Sequence, residues 1–375
     1  MSLKRRRILF VLPSLAGGGA ERATVTLLRH LDRTRLELHL ALASMSGALL
    51  EQLPADVPVH DLGARRVRYA PPSLVRLAWK IRPGIVFSRI GHLNLALICA
   101  KPFLPNGVKL VVQESSTPSA RLTHGVSHSR AWKWLYRRLY RRADLVVCSS
   151  QAMLDDLAEH FSVPRRKMIR IYNPVDADQV KRLAEMGGNP YPTPGPNLVT
   201  VGRLSLEKGV DVLLEAFALV REVVTDARLT VLGDGPLAAA LGEQRDRLGL
   251  RDSVHFAGFL PNPHPYVKYA DLFVMPSRVE GMPNAVLEAL ALEKPVVATD
   301  CVAAMREIAE ANRRLRLVSS ENPAALAEGA VEVLTETEFR DSLDSDSTFE
   351  QKFGLRPIMR QYETLFEKVQ DGNFL

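Results

Sequence analysis

Short apolar segments that alternate with glycine-containing turns and helix-forming segments are the feature that most constrains the fold of this chain. In the second half of the sequence they span residues 197–201, 229–232, 254–257 and 271–275, and each is followed by a turn that contains glycine. Short apolar runs bounded by glycine or proline are typical of strands that are buried on both faces. Such strands, alternating with helices, predict a parallel sheet covered by helices, which is the α/β class.

The first half of the chain repeats this pattern. Candidate strands lie at residues 8–12, 36–43, 85–88, 109–113 and 145–149, with a closing segment at 169–176. We therefore predict two Rossmann-like domains, at residues 1–180 and 197–348. Segment 187–196 is rich in glycine and proline, and we expect it to be the interdomain linker.

The composition is that of a globular protein. The chain has 375 residues, of which 46% are hydrophobic and 24% charged, so two domains can each bury a core. Three cysteines, Cys99, Cys148 and Cys301, lack metal-like spacing and predict reduced thiols in the cytoplasm.

The N-terminal apolar run stops at Pro13, which favours a first strand over a signal peptide. The longest apolar stretch, residues 93–100, is too short to cross a bilayer.

Basic charge is concentrated in the first half of the chain. Residues 1–180 hold 28 Lys and Arg against 13 Asp and Glu, whereas residues 181–375 hold 21 against 29. The densest basic piece, residues 130–142, has Lys133, Arg137 and Arg141 at four-residue intervals and predicts a cationic amphipathic helix.

Two interpretations of the 130–142 helix stay open. Its basic side can simply be solvated, or it can face an anionic membrane surface or the phosphates of a lipid-linked acceptor. The second interpretation would make the protein peripheral at the inner face of the cytoplasmic membrane. Nucleic acid is not an expected partner, because no binding module is recognisable and the second half is acidic.

Two carboxylates, Glu280 and Glu288, lie in a segment that predicts a strand, a glycine loop and a helix. Glu280 is expected in the loop, and Glu288 just over one turn into a helix that begins near Pro283. Backbone N–H groups in residues 281–284 would face an anion at that helix N-terminus. The carboxylates would then be available for sugar and ribose hydroxyls, although two acids at this spacing can also be ordinary surface charges.

Two cations follow another predicted strand. Arg203 and Lys208 lie in the turn between strand 197–201 and a helix that begins at Val210. Open α/β sheets bind ligands at such strand-to-helix turns. The arginine fork and the lysine ammonium could together neutralise a diphosphate. The alternative is two solvated cations at a helix start.

These motifs, in their order along the chain, resemble those of one enzyme family. The matching pieces are Gly17-Gly18-Gly19-Ala20-Glu21-Arg22, Val201-Gly202-Arg203-Leu204 with Lys208-Gly209, Gly233-Asp234-Gly235-Pro236, Gly258-Phe259-Leu260, the Glu280 and Glu288 pair, and residues 294–300. They are similar to the retaining, nucleotide-sugar-dependent glycosyltransferases of family 4. The chain departs from the family pattern after Asp300, where the usual glycine turn before Arg306-Glu307 is replaced.

The resemblance implies a GT-B architecture, in which two Rossmann-like domains face each other across a cleft. A tail helix in residues 349–375, with Ile358, Tyr362, Leu365 and Phe366 at helical spacing, would return to the first domain. The implied reaction moves a hexosyl or N-acetylhexosaminyl group from a nucleotide diphosphate sugar, expected to be a UDP-sugar, with retention of configuration. The acceptor would be a hydroxyl of a saccharide or lipid-linked acceptor in bacterial surface glycan synthesis, and no metal or other cofactor is expected.

The resemblance also implies roles for individual residues. Arg203 and Lys208 would hold the donor diphosphate, Glu280 would contact the transferred sugar, and we regard these three as catalytic. Glu288 would bind the ribose hydroxyls. Other implied donor-binding residues are Gly17, Gly18 and Gly19 near the sugar, Gly258, Phe259 and Leu260 near the base, and Gly281, Met282, Pro283 and Asn284 at the helix start.

Acceptor-side candidates and competing functions are less constrained. His92, Glu114 and His124 could orient the acceptor hydroxyl. Asp176-Ala177-Asp178 and Asp344-Ser345-Asp346 match the metal motif of the other large glycosyltransferase fold, but neither follows a buried strand, so no metal is assigned. A nucleotide-sugar-modifying enzyme, such as an epimerase, and a non-catalytic sugar- or lipid-binding protein remain as alternatives.

Overall fold

The computed structural model describes residues 5–119, 122, 129–192, 195–335 and 347–372. It divides into two compact units. Unit 1 comprises Met1–Pro174 and Arg356–Leu375, and unit 2 comprises Val175–Leu355. The acceptor-side candidate His124 and the Asp344-Ser345-Asp346 motif lie outside the described residues.

Unit 1 is built on a seven-stranded parallel sheet with the order β3-β2-β1-β4-β5-β6-β7. Its strands are β1 (Arg6–Leu12), β2 (Leu36–Leu42), β3 (Val59–Asp61), β4 (Ile85–Ser88), β5 (Lys109–Gln113), β6 (Leu145–Cys148) and β7 (Met168–Arg170). The helices are Gly19–His30, Pro71–Ile81, Gly91–Ala100, Ser129–Leu139, Gln151–Phe161 and Leu355–Gln370. Sequence reasoning missed β3, because this edge strand is only partly buried and has no apolar run.

Unit 2 is built on a six-stranded parallel sheet with the order β10-β9-β8-β11-β12-β13. Its strands are β8 (Asn197–Val201), β9 (Arg228–Leu232), β10 (Val254–Gly258), β11 (Leu272–Met275), β12 (Val296–Thr299) and β13 (Leu315–Val318). The helices are Ala177–Glu185, Val210–Val223, Ala238–Arg247, His264–Tyr269, Asn284–Ala291, Ala303–Ala309, Pro323–Thr335 and Ser347–Phe353.

Both sheets have the strand order of a Rossmann fold, in which the chain turns back to the middle after the third strand. The strand order therefore reverses between β1 and β4 in unit 1, and between β8 and β11 in unit 2. Ligands of open α/β sheets bind outside the carboxyl ends of the strands at this switch point. The prediction of two Rossmann-like α/β domains is confirmed.

The division between the units falls after Pro174, not in the 187–196 segment where we expected a linker. Helix Ala177–Glu185 belongs to unit 2, where Asn262 Nδ2 donates to the Leu183 carbonyl oxygen at 2.8 Å. Tyr191, inside the expected linker, donates its hydroxyl to the Tyr266 carbonyl oxygen at 2.9 Å. These contacts attach the glycine- and proline-rich segment to unit 2, and composition alone could not reveal them.

The first aspartate of the Asp176-Ala177-Asp178 motif is a helix cap. Asp176 Oδ1 accepts a hydrogen bond from the backbone N–H of Gln179 at 3.0 Å. This contact satisfies an amide in the first turn of helix Ala177–Glu185. The position of Asp176 is thus explained by local structure.

The tail forms two helices rather than the single helix expected from residue 349. They are separated at Gly354, where an added Cβ would lie 2.3 Å from the Glu350 carbonyl oxygen. The second helix packs in unit 1, where Phe366 lies edge-on to Phe87 with ring centroids 5.6 Å apart. Tyr362 donates its hydroxyl to Gln113 Oε1 at 2.8 Å, at the end of β5. Among the described residues, no helix is long and apolar enough to span a membrane.

Candidate active site

The turn after β8 carries the two predicted cations. Arg203 is exposed, and Lys208 ends a short 3₁₀ turn, Leu206–Lys208. Gly209 follows with a φ of 63°, and an added Cβ would lie 2.1 Å from the Pro276 carbonyl oxygen. Only glycine therefore lets this turn pack against the residues that follow β11.

Lys208 meets Glu280 directly, so the structure brings the two predicted turns together. Lys208 Nζ lies 2.6 Å from Glu280 Oε1, and Ser277 Oγ donates to the same oxygen at 2.8 Å. The backbone N–H of Arg278 also donates to the Glu207 carbonyl oxygen at 2.8 Å. Both turns lie at the carboxyl ends of β8 and β11, on either side of the switch point.

The pair sets the charge state of the lysine. Burial by itself would lower the pKa of Lys208, but the charge of Glu280 and the hydrogen bond to it outweigh burial and raise that pKa above its ordinary value. Lys208 is therefore an ammonium ion at neutral pH. A diphosphate ligand would find this cation already in position.

Cys301 approaches the same pair from the turn after β12. Burial and the negative charge of Glu280 raise the pKa of its thiol to about 12. The thiol is therefore neutral at physiological pH and behaves as a small apolar group. The region in which the chain departs from the family pattern thus still contributes a residue beside Glu280.

Arg278 joins the two turns and was missed by sequence reasoning. Its Nη1 donates to the Leu206 carbonyl oxygen at 2.8 Å, and its guanidinium forms a two-pronged contact with Asp211, with both distances 2.7 Å. Glu321 contacts the same guanidinium. The hydrogen bonds to Asp211 raise the pKa of Arg278. An Arg between two apolar segments gives no sign in sequence that its partner lies 67 residues away.

Glu288 is held by a buried histidine. It lies in helix Asn284–Ala291, and its Oε2 is 3.2 Å from His264 Nε2. His264 Nδ1 lies 2.8 Å from Asn262 Oδ1. The Asn262 amide is oriented by its Nδ2, which donates to the Leu183 carbonyl oxygen. The ring therefore lies between an amide oxygen and a carboxylate oxygen, both of which can only accept hydrogen bonds.

The predicted base-binding residues lie beside the Arg203 turn. Gly233, after β9, has a φ of 143°, and an added Cβ would lie 1.8 Å from the Gly202 carbonyl oxygen. The Gly233 N–H donates to the Gly258 carbonyl oxygen at 2.8 Å. Phe259 follows with 47% of its surface exposed. The turns after β8, β9 and β10 therefore pack side by side at one edge of the sheet.

The glycine run in unit 1 is occupied by the chain itself. The backbone N–H groups of Gly17 and Gly18 donate to Glu21 Oε2 at 2.8 and 2.6 Å. Glu21, in the first turn of helix Gly19–His30, thus supplies the anion that this helix N-terminus attracts. These two amides are engaged in the structure, so a sugar near them would meet a carboxylate rather than open N–H donors.

Glu114 lies at the carboxyl end of β5 and is almost fully buried. Asn94 Nδ2 donates to its Oε1 at 3.2 Å, and an added Cβ at Gly91 would lie 2.9 Å from its Oε2. His92 is exposed in the first turn of helix Gly91–Ala100. Nearby, Arg89 is 3% exposed, and its Nε and Nη1 have no hydrogen-bond partner among the described residues.

The part of the chain that the structure describes contains no cluster of side chains suited to bind a metal ion. No group of three or more His, Cys, Asp or Glu side chains in those ranges is placed to hold a metal ion.

Family models match both units. A model described as "Glycosyltransferase Family 4" matches residues 17–179, and one described as "Glycosyl transferases group 1" matches residues 195–336. An N-acetylgalactosaminyltransferase of Campylobacter jejuni, whose name gives a diphospho-undecaprenol-linked saccharide as acceptor, is 29% identical over 87% of this chain and 90% of its own length. The alpha-D-kanosaminyltransferase of Streptomyces kanamyceticus is 29% identical over 52% of this chain and 53% of its own.

Solved structures share the fold over nearly the whole chain. The Anabaena protein HepE, crystallised with UDP and glucose, has a TM-score of 0.78 at 20% identity and covers 97% of this chain and 100% of its own. A glycosyltransferase of Rickettsia africae has a TM-score of 0.76 at 17% identity and covers 98% and 99%.

Proposed function

Because the chain belongs to the family 4 glycosyltransferases with the GT-B fold, we propose that it transfers a hexosyl or N-acetylhexosaminyl group from a UDP-sugar with retention of configuration. The acceptor is a hydroxyl of a saccharide carried on a polyprenyl diphosphate lipid, in bacterial surface glycan synthesis. The name of the Campylobacter relative supports this acceptor, and the UDP bound to HepE supports the nucleotide. We place the enzyme in the cytoplasm, peripheral to the inner face of the membrane.

One observation carries the donor assignment. The turns after β8 and β11 flank the switch point of unit 2 and are joined by the 2.6 Å contact between Lys208 and Glu280. A diphosphate in this position meets the Lys208 ammonium, the Arg203 guanidinium and the N-terminus of helix Asn284–Ala291. Glu288 then faces the ribose, and Phe259 lies beside the base.

The same groups support the chemical step. The bond between the anomeric carbon and the diphosphate oxygen breaks, and negative charge grows on the leaving diphosphate. Arg203, Lys208 and the helix amides stabilise that charge without reorganisation, which is the usual source of a large rate enhancement. Glu280 contacts the sugar hydroxyls. Its carboxylate also holds the Lys208 ammonium in position.

Retention follows from attack on the same face of the sugar. The acceptor hydroxyl oxygen bonds to the anomeric carbon as the diphosphate leaves, and its proton passes to the departing phosphate oxygen. No enzyme nucleophile takes part in this mechanism. His92 and Glu114 in unit 1 are the proposed acceptor-side residues, together with His124 of the sequence prediction.

Calorimetric titration of UDP tests the donor site. We expect Arg203→Ala and Lys208→Ala each to weaken UDP binding about ten- to a hundredfold, because each removes a charge-assisted hydrogen bond of about 1.5–3 kcal/mol. Matched controls are Arg247→Ala and Lys181→Ala, which remove exposed cations of unit 2 that pair with Glu243 and Glu293. Unchanged UDP affinity in both site variants would show that the diphosphate binds elsewhere.

Product analysis tests the reaction. Purified enzyme with a UDP-sugar and a polyprenyl diphosphate-linked saccharide should give an α-linked product from an α-linked donor, detected by NMR of the anomeric proton. A β-linked product would refute retention. Sugar modification without transfer would favour an epimerase-like enzyme. UDP-sugar binding without turnover on any acceptor would favour a binding protein.

A further inference from the structure

The carboxylate of Glu288 has one oxygen engaged and one oxygen open. Its Oε2 lies 3.2 Å from His264 Nε2, whereas its Oε1 has no hydrogen-bond partner among the described residues. The side chain is 25% exposed on helix Asn284–Ala291. A partly exposed glutamate on a helix ordinarily samples several rotamers. The contact with His264 restricts that motion and leaves one carboxylate oxygen available to a ligand.

The histidine is itself fixed by further contacts within unit 2. His264 is 3% exposed, and its Nδ1 lies 2.8 Å from Asn262 Oδ1. The backbone N–H of His264 donates to the same oxygen at 3.2 Å. Asn262 Nδ2 donates to the carbonyl oxygen of Leu183, in helix Ala177–Glu185, at 2.8 Å. The Glu288 carboxylate is therefore connected, through two buried or partly buried side chains, to the backbone of a neighbouring helix.

Stability alone is a weak reason for this arrangement. Taking an imidazole and a carboxylate out of water offsets much of their mutual attraction, so such a pair stabilises a fold little more than apolar side chains of the same volume would. The effect on geometry is not offset in this way. Side chains that hydrogen-bond a ligand-binding group hold it in one orientation before the ligand arrives.

We propose that His264 is a positioning residue for the donor nucleotide: it orients Glu288 so that Oε1 accepts hydrogen bonds from the ribose hydroxyls. The inference rests on the proposed function, in which Glu288 faces the ribose. It adds a residue that itself contacts neither donor nor acceptor. Because the Glu288 side chain is ordered before binding, less conformational freedom is lost when the nucleotide binds. The preference for a nucleotide with both ribose hydroxyls should therefore depend on His264.

Calorimetric titration with two nucleotides tests this role. UDP and 2′,3′-dideoxyuridine diphosphate share the base and the diphosphate and differ only in the ribose hydroxyls. We expect wild type to bind UDP about ten- to a hundredfold more tightly, the range for hydrogen bonds to a charged group. In His264→Asn, UDP affinity should fall to within about threefold of the affinity for the dideoxy nucleotide, which should itself change less than about twofold.

Two other variants show whether the contact or the ring matters. In His264→Gln the amide nitrogen can take the place of Nε2, whereas Asn is too short to reach Glu288. We therefore expect the Gln variant to keep most of the preference for UDP. His39→Asn, in unit 1, is the matched control, because His39 is 8% exposed and its Nε2 lies 3.0 Å from Glu37 Oε1. The control should keep the wild-type preference.

A double-variant cycle shows whether His264 acts through Glu288. Glu288→Gln keeps the size of the side chain but removes its charge, and it should abolish most of the preference for UDP. Adding His264→Asn to Glu288→Gln should then change UDP affinity by less than about twofold, because the group that His264 orients is already lost. His264→Phe, which fills a similar space without a hydrogen bond, replaces the Asn variant in the cycle if that variant does not fold.

The outcomes separate this inference from the donor assignment. Equal affinity of wild type for the two nucleotides would show that Glu288 does not bind the ribose, and the role of His264 would be wrong with it. A preference for UDP that persists in His264→Asn would leave the donor site in place and overturn the role of His264 alone. Equal losses for both nucleotides, or independent effects in the double variant, would likewise show that His264 only supports the fold.

Discussion

At the scale of single residues, the partly buried carboxylate of Glu280 has one cationic partner among its described contacts, Lys208. Glu280 accepts from both Lys208 and Ser277, and Cys301 beside it stays neutral because its pKa is raised to about 12. Lys208 is thus the cation matched to that carboxylate. The pH dependence of stability should report this pair. Because the pKa of Lys208 is raised on folding, its stabilising effect is fully present below the ordinary lysine pKa of 10.5 and is lost as pH rises through the raised value.

We therefore expect the urea midpoint of wild type to exceed that of Lys208→Met by a constant amount from neutral pH to about pH 10, and the difference to shrink above it. The effect should be on the order of 1 kcal/mol, since the pair is partly exposed to solvent. Lys181→Met, which removes an exposed lysine of unit 2, is the control. A difference that grows at alkaline pH would contradict the pairing.

At the scale of elements, Arg278 determines the relative position of two turns. It contacts the Leu206 carbonyl oxygen and the Asp211 carboxylate from the turn after β11. We regard Arg278 as a positioning residue, since none of its hydrogen bonds involves the groups proposed to bind UDP. Arg278→Gln should raise KM for the donor about tenfold or more while kcat changes little. The expectation rests on a loss of about 1.5–3 kcal/mol for charge-assisted hydrogen bonds that hold the Lys208 turn.

Arg278→Lys should recover only part of the donor affinity, because an ammonium cannot reproduce the two-pronged contact with Asp211. Arg316→Gln is the matched control, because Arg316 also pairs with a helix carboxylate, that of Glu332. Equal losses of kcat and stability in Arg278→Gln, with KM unchanged, would indicate a general folding role instead.

At the scale of the whole molecule, two parallel sheets of the same topology have different electrostatic surroundings. Unit 2 brings Lys208 and the N-terminus of helix Asn284–Ala291 to one edge of its sheet, where we propose that they match the charge of a diphosphate. In unit 1, the backbone N–H groups of Gly17 and Gly18 instead donate to the carboxylate of Glu21. Transfer activity and UDP binding should both survive excess EDTA with less than about a twofold change. A loss of either that Mn²⁺ reverses, and that the organic polycation spermidine does not reverse, would show that a metal ion matches the charge of the diphosphate.

The sequence by itself determined the parallel α/β class, most strands and the turns that carry Arg203, Lys208, Glu280 and Glu288, because apolar runs and glycine turns are local signals. It placed the boundary of the units and the single tail helix incorrectly. Only the tertiary structure decided those features, and with them the pairing of Lys208 with Glu280, the Arg278 contact and the support of Glu288 by His264. Each joins residues that are tens of positions apart, and the strand order that brings them together is not encoded in any one segment.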